Sequence, residues 1–196
     1  MKRPIRVAAL LAATALLLSA CASDPLADEF AVNEQNYVSG DGSVTEYAIA
    51  DRGEPVDFEA QTDRGETVSS SDYRGEVLVL NFWYAGCPPC RAEAPDLEEQ
   101  FQAFDGEGAT FLGVNVRDQA PQSVQFAERW GVTYPSVIDV DEGTMLLAFA
   151  GTVAPNAVPT TLIIDKQGRV AARFLGLIEA PSTLKTLIRE AIAEDD

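Results

Sequence analysis

The chain has 196 residues, of which 46% are hydrophobic and 23% charged, and this suits one compact domain with a targeting segment and a tether. Acidic residues outnumber basic residues by 31 to 14, so the chain lacks the basic surface that phosphate binding needs, and nucleic acid is excluded as a partner. Because the chain has no histidine and only three cysteines, we expect no metal site, no cofactor and no disulfide-stapled scaffold.

The first 20 residues carry the features of an export signal. Three basic residues open the segment, Lys2, Arg3 and Arg6, and an uncharged, mostly apolar stretch over residues 7–18 follows them. Such a stretch is too short to span a bilayer comfortably. We therefore predict a cleaved signal peptide over residues 1–20 and not a transmembrane helix.

Cys21 follows this segment directly, in the sequence Leu-Ser-Ala-Cys. That sequence resembles the lipobox of bacterial lipoproteins, and the resemblance implies that signal peptidase II cleaves before a lipidated Cys21. Several acyl chains on one residue hold a protein on a membrane far better than a single chain does. An ordinary secretory signal, cut near Ala20 or Ala22 and leaving Cys21 as a free thiol, is the alternative interpretation.

Residues 22–54 are rich in Asp, Glu, Ser, Gly and Asn and show no sustained hydrophobic period. This composition predicts a mostly flexible, acidic tether, so we expect the folded domain to cover residues 55–196. Its first element is predicted to be a short β-hairpin, with strands over residues 58–61 and 66–68.

A continuous apolar run over residues 77–82 predicts a central strand that is covered on both faces. The segment Cys87-Pro88-Pro89-Cys90 follows, and its prolines fit only the first turn of a helix, where their missing N–H groups lack a partner in any case. The helical period then continues over residues 91–104. Five residues share one face of this helix: Cys90, Ala94, Leu97, Phe101 and Phe104. Cys90 is therefore expected to face the core, and Cys87 to cap the exposed end.

The rest of the chain alternates strands with helices, which predicts an α/β sheet with covered faces and an antiparallel edge pair. The predicted strands cover residues 110–116, 136–139, 160–165 and 169–175. The predicted helices cover residues 122–130, 143–149 and 181–193.

Cys87 and Cys90 form a Cys-x-x-Cys motif at the junction of the buried strand and the helix. This spacing lets two sulfurs reach bonding distance, and the first sulfur meets the positive end of the helix dipole. The dipole favours the Cys87 thiolate as the attacking group, and Cys90 then resolves the mixed disulfide. A static disulfide that closes a turn is one alternative. Half of a four-cysteine zinc site is another, although no second cysteine pair exists to complete it.

Two separated segments resemble the signatures of the TlpA, ResA and DsbE family of membrane-tethered thioredoxin-fold proteins, also called redoxins. The first is residues 81–95, Asn-Phe-Trp-Tyr-Ala-Gly-Cys-Pro-Pro-Cys-Arg-Ala-Glu-Ala-Pro, and the second is residues 158–165, Val-Pro-Thr-Thr-Leu-Ile-Ile-Asp, followed by Gly168. The resemblance implies a thioredoxin-like α/β fold with a central mixed sheet flanked by helices. It also implies an N-terminal β-hairpin and a helix-strand insertion over residues 119–139, before a cis-proline loop.

The resemblance further implies that Pro159 follows a cis peptide bond, lies against the Cys87 sulfur and shapes a groove for the backbone of a partner. Trp83 matches the aromatic residue before the motif and is expected to form a wall of the active site, with a plain core tryptophan as the alternative. The other residues expected in the groove are Pro88, Pro89, Val158 and Thr160.

Glu93 stands three residues after Cys90, within one helical turn of it and beside the buried face. In the family this glutamate is associated with proton handling and partner choice. Thioredoxins proper carry a buried aspartate six residues before the first cysteine, where this chain has Asn81, so Glu93 is the candidate base for deprotonating Cys90. An ordinary solvated helix glutamate is the alternative. Many relatives have tryptophan where this chain has Gly86, which leaves the nature of the partner-facing surface open.

Pro88 and Pro89 bear on the direction of the reaction, because neither offers an N–H group to a thiolate at the helix N-terminus. The nearest donor left is the N–H of Cys90, and no charged side chain stands between the cysteines. We therefore expect the reduced form to be stabilised less than in strongly oxidising relatives, and the couple to be reducing.

Together these observations predict a thiol-disulfide oxidoreductase at the extracytoplasmic face of the bacterial cell membrane, anchored by lipid on Cys21 and monomeric. We expect a reductase that acts on exported protein thiols or disulfides, such as those of apocytochrome c, with a membrane thiol carrier as its electron donor. The alternatives are a disulfide-forming oxidant of the same fold and a lipoprotein binding module with an inert disulfide. A thiol peroxidase is a further alternative, but Tyr84 occupies the position at which peroxidases place Thr or Ser.

Overall fold

The computed structural model describes residues 43–154 and 157–194. Its strands are β1 (Val44–Glu46), β2 (Glu59–Gln61), β3 (Thr67–Ser69), β4 (Val77–Trp83), β5 (Ala109–Asn115), β6 (Ser136–Ile138), β7 (Thr160–Ile164) and β8 (Val170–Leu175). Its α-helices are α1 (Pro88–Phe104), α2 (Ala120–Trp130), α3 (Thr144–Ala148) and α4 (Pro181–Ala193). The predicted signal peptide and Cys21 lie outside the described residues. Among the described helices, none combines the length and the apolar character needed to cross a bilayer.

Six strands form one mixed sheet in the order β1-β8-β7-β4-β5-β6. Strands β4, β5 and β6 run parallel to one another, whereas β7 pairs with β4, and β8 with β7, in antiparallel fashion. Strands β2 and β3 pair as a separate antiparallel hairpin. The predicted thioredoxin-like α/β architecture is confirmed, including the hairpin and the insertion formed by α2 and β6.

Strand β4 lies at the centre of the molecule, and all seven of its residues are buried. Its side chains alternate between the two faces of the sheet, as the period of a strand requires. Val77, Val79 and Trp83 pack in the hydrophobic cluster that includes residues of α1, α2 and α4. Leu78, Leu80 and Phe82 pack in the second cluster, with Met145 of α3 and with Phe149. The apolar run therefore forms the central strand that its sequence predicts.

Residues 44–54 depart from the prediction, because the sequence assigns them to the tether and the structure places them on the domain. Strand β1 pairs with β8 in antiparallel register, from Val44 opposite Phe174 to Glu46 opposite Ala172. Arg52, whose side chain is 4% exposed, pairs with Asp165 at 2.9 Å and with Glu194 at 2.6 Å. These carboxylates stand 113 and 142 residues further along the chain, so no local sequence pattern could indicate the contacts.

Candidate active site

Cys87 and Cys90 meet where the central strand gives way to a helix. Strand β4 ends at Trp83, and Cys87 is the N-cap residue of α1, whose first two residues are prolines. The two sulfurs form a disulfide bond of 2.10 Å across Cα atoms that lie 5.3 Å apart. The structure therefore shows the oxidised form of the motif. No group of three metal-ligating side chains comes together within the described ranges.

The Cys87 sulfur accepts a hydrogen bond from the N–H of Cys90 at 3.2 Å. Pro88 and Pro89 lie between them in the first helical turn and lack the N–H groups that usually point out of a helix N-terminus. The expectation that the amide of Cys90 is the nearest donor to this sulfur is confirmed. A thiolate formed at Cys87 would thus receive this hydrogen bond and the helix dipole but no donor from the intervening residues.

Both cysteines are buried, each with 2% of its surface exposed. For Cys90 this agrees with its place on the core face of α1. For Cys87 the prediction of an exposed helix end is wrong, because this residue packs in the same cluster as Trp83 and Ala94, with Tyr84 beside them. The two cysteines of the oxidised motif consequently offer little surface to a partner.

A small cavity of about 10 Å³ lies behind Cys90, at the level of the sheet. Its walls include Asn81, Trp83, Cys90, Phe126, Tyr134 and Ser136. The volume is about that required for a single water molecule. Trp83 is 5% exposed and its ring lies 4.2 Å, centroid to centroid, from that of Phe126. Trp83 is therefore a core residue, and it also lines the small cavity that Cys90 faces.

Glu93 is buried one helical turn after Cys90, with 1% of its surface exposed. Its carboxylate accepts hydrogen bonds from Asn81 Nδ2 at 2.8 Å and from the N–H of Ile178 at 3.3 Å. Burial raises the pKa of Glu93 from 4.5 to about 7, and the two hydrogen bonds offset only part of that effect. The alternative of a solvated helix glutamate is excluded by this burial.

Asn81 connects Glu93 to the cavity. Its amide donates to Glu93 and also to Thr161 Oγ1 at 3.0 Å, which fixes the side chain on the cavity wall that it shares with Cys90. Burial and the nearby charge of Glu93 both raise the pKa of Tyr134, so this cavity residue stays protonated. The arrangement places a buried carboxyl group of raised pKa one helical turn from the second cysteine.

The Val158-Pro159 peptide bond is cis, as the resemblance implies. Strand β7 begins at the next residue, and Thr160 pairs with Phe82 near the end of β4, so the proline loop lies at the edge of the sheet that carries the motif. Thr160 is fully buried and its hydroxyl donates to the carbonyl of Ala157 at 2.6 Å. The Thr160 side chain therefore stabilises the proline loop and does not line an open groove.

The other residues expected in the groove differ in exposure. Pro88 is exposed, whereas Pro89 and Val158 are half-buried. Tyr84 was not expected at this surface, but its ring packs over Gly86, where an added Cβ would lie 3.1 Å from the ring. The guanidinium of Arg117 lies 4.3 Å from the centroid of the same ring. Tyr84 thus supplies an aromatic surface beside the motif, next to Gly86.

Sequence reasoning missed the contacts that complete the site from distant segments. Ile178, Tyr134 and Ser136 lie far from the motif along the chain, and no spacing in the sequence indicates that they meet it. In the sequence Asn81 is only a residue that cannot take a proton, whereas the structure shows that its amide donates a hydrogen bond to Glu93.

Comparison with known proteins agrees with this geometry. The model of the AhpC/TSA family matches residues 53–173. The thiol-disulfide oxidoreductase ResA of Geobacillus kaustophilus is 37% identical over 129 residues, which cover 66% of this chain and 71% of the relative.

Two solved structures share the fold. A DsbF homologue from Corynebacterium diphtheriae superposes with a TM-score of 0.69 at 32% identity, covering 80% of this chain and 98% of that chain. A secreted thiol-disulfide isomerase from Corynebacterium glutamicum superposes with a TM-score of 0.73 at 29% identity, covering 82% and 98%. The family model spans more than half of the sequence and includes both cysteines, and the ResA relative is a thiol-disulfide oxidoreductase; the chain therefore belongs to the AhpC/TSA family and is a thiol-disulfide oxidoreductase of thioredoxin-like fold.

Proposed function

We propose that this protein is an extracytoplasmic disulfide reductase that acts on exported proteins and is held at the membrane by lipid on Cys21. The observation that carries the direction of the reaction is the sparse set of donors around the Cys87 sulfur. Apocytochrome c is a candidate substrate, and a membrane thiol carrier is the proposed source of electrons. The name of the Corynebacterium glutamicum relative, which describes a secreted protein, supports action outside the cytoplasm.

The proposed reaction begins with the reduced enzyme. The Cys87 thiolate attacks one sulfur of a substrate disulfide, a mixed disulfide forms, and the other substrate sulfur leaves as a thiolate that takes up a proton. Cys90 then gives its proton to the Glu93 carboxylate and attacks the Cys87 sulfur. The second substrate thiol is released, two electrons have passed to the substrate, and the enzyme is left with the disulfide seen in the structure. The thiol carrier reduces that disulfide for the next cycle.

Reduction is favoured because the reduced form of this motif receives little stabilisation. A disulfide is strongly oxidising when its first thiolate is very stable, and here one backbone N–H reaches that sulfur. The net charge of −17 acts in the same direction, since negative surroundings disfavour a thiolate.

The reduction potential of the couple tests this direction. Equilibration against glutathione is expected to give a value closer to about −270 mV than to about −120 mV, the potentials of thioredoxin and DsbA. Pro89→His is expected to shift the potential toward the oxidising end, because it restores an N–H group and adds a partly positive side chain near the sulfur. A wild-type value near −120 mV would assign the protein to the disulfide-forming oxidants instead.

The roles of the two cysteines predict different outcomes for single substitutions. Cys90→Ser is expected to retain the first attack and to accumulate a mixed disulfide with a substrate, because the resolving thiol is gone. Cys87→Ser is expected to abolish exchange. Non-reducing electrophoresis of each variant after incubation with an oxidised protein substrate measures the trapped species, and trapping by Cys87→Ser in place of Cys90→Ser would reverse the assignment.

Glu93→Gln is expected to flatten the pH dependence of both stability and exchange. Glu93 is protonated in the folded and unfolded states below pH 4.5 and ionised in both above about 7, so burying the charge lowers the stability of the wild type as pH rises between these values. Both proteins are compared with the disulfide formed. At about 1.4 kcal/mol per pKa unit, the unfolding free energy of Glu93→Gln minus that of the wild type should rise by about 3 kcal/mol from pH 4 to pH 8. Denaturant unfolding at several pH values measures this difference.

Glu99→Gln is the matched control for that experiment, because Glu99 is an exposed carboxylate on the same helix. The control should follow the wild type at every pH, in stability and in the rate of substrate release. A Glu93→Gln profile that parallels the wild type over this range would show that the buried carboxyl does not titrate there and does not act as the base.

Anchoring at the membrane is proposed from the lipobox resemblance at Cys21. Cys21→Ser is expected to move the protein from the membrane fraction to the soluble extracytoplasmic fraction, because it removes the site of lipidation. Mass spectrometry of the wild type should detect acyl chains on Cys21. A processed Cys21→Ser protein that stays in the membrane fraction would contradict the proposal.

A further inference from the structure

A groove of about 270 Å³ opens to solvent between α1 and α2, beside the disulfide loop. Arg91 of α1 and Arg129 of α2 stand on its two sides, Ala85 lies at the loop end, and Phe126 and Trp130 supply its aromatic surface. Two glutamines complete the lining. The groove is separate from the small cavity behind Cys90, although Phe126 contributes to both.

The charge of this groove is opposite to that of the chain as a whole. Its lining holds two guanidinium groups and no carboxylate, in a chain with 31 acidic and 14 basic residues. Within the described ranges neither Arg91 nor Arg129 forms an ion pair with a carboxylate, whereas Arg52, Arg74 and Arg169 do. A second groove, of about 370 Å³, includes Asp63, Arg64 and Glu128 in its lining and is thus of mixed charge.

The groove is adjacent to the loop that carries the disulfide. Arg91 follows Cys90 directly, and its Nε donates to the carbonyl of Ala85, two residues before Cys87, at 2.7 Å. This bond closes the loop around the disulfide, and among the described residues the other N–H groups of Arg91 make no further hydrogen bond, so they are available to a ligand. The guanidinium of Arg129 lies 5.9 Å from the centroid of the Trp130 ring. A peptide lying in the groove would therefore place its neighbouring residues at the disulfide loop.

We propose that this groove binds an acidic segment of a protein substrate, close in sequence to the disulfide that the enzyme acts on. Arginine pairs with a carboxylate through two parallel hydrogen bonds, and the aromatic rings can cover an apolar residue between two acidic ones. An open groove formed by two helices and a loop suits an extended chain better than a small molecule, which proteins usually enclose. An anionic membrane surface fits less well, because segments that bind anionic lipids usually carry about four to eight basic residues, whereas this groove holds two.

Direct binding tests the groove independently of catalysis. Two fluorescent peptides are based on a disulfide-containing substrate, with serine in place of both of its cysteines so that no exchange can occur. They have the same central sequence and differ only in their flanks, which are rich in Glu in one peptide and in Lys in the other. Fluorescence anisotropy with the oxidised full-length protein measures the affinity of each peptide. At an ionic strength of about 0.15 M, where charges more than about 8 Å away are largely screened, the acidic peptide is expected to bind roughly tenfold more tightly or better, and the preference should shrink as further salt is added. Arg129→Glu should abolish the preference, and Arg129→Gln should reduce it.

Arg189→Glu is the matched control, because it makes the same charge change at an exposed position on α4 that the groove does not include. This variant should keep the preference for the acidic peptide. Equal affinity for the two peptides, or an unchanged preference in Arg129→Glu, would overturn the proposal. Oxidised glutathione that binds the groove as tightly as the acidic peptide would assign the groove to small anions. Phosphatidylglycerol vesicles that bind more tightly than the acidic peptide would assign it to the membrane. Either result would also overturn the proposal of a peptide-binding groove.

The link to catalysis rests on the proposed function and is measured separately. The same two peptides with their cysteines restored and oxidised are offered to the reduced enzyme, and the acidic one is expected to be reduced faster. If neither peptide is reduced while the acidic one still binds, the proposed reductase function fails and the docking groove stands.

Discussion

The burial of β4 on both faces is the constraint on which the rest of the structure depends. A strand with every side chain covered has one register with its neighbours, because a shift by one residue would exchange its two faces. That register fixes the end of the strand, and therefore the position of the disulfide loop and of the first turn of α1. It also turns Asn81 toward the helical layer, where it holds the buried carboxylate of Glu93 at 2.8 Å.

The two prolines join the fold to the redox chemistry. They fit the first helical turn because no intrahelical bond is lost there, and for the same reason they leave the Cys87 sulfur with a single backbone donor. A residue that started the helix equally well but kept its N–H would change the electronic environment of the thiolate without changing the fold. Helix initiation and thiolate stability are thus set by the same two positions.

Much of this architecture could be predicted from the sequence, because the governing interactions are local. The apolar run of β4, the prolines of α1 and the alternation of later elements lie in short windows, and their predicted bounds differ from the structure by at most two residues. The cis bond before Pro159 came from family resemblance and not from local physics. The contacts that escaped prediction join distant segments, as between Glu93 and Ile178, 85 residues apart, or Arg52 and Glu194, 142 residues apart. The burial of Cys87 was not predicted for a similar reason. The hydrophobic periodicity of a helix indicates which of its faces is buried, but it does not indicate which residues pack over the end of the helix.

Strand β1 is short, but its position at the margin of the sheet gives it a protective role. A strand at a sheet margin presents unpaired N–H and C=O groups to any other chain in solution, and β8 would be such a strand if its partner were removed. With three residues and a carboxylate at Glu46, β1 covers part of that edge and is itself a poor template for a further strand. Arg52 fastens the segment in place through Asp165 and Glu194. The segment from Val44 to Arg52 therefore protects this margin of the sheet against edge-to-edge aggregation.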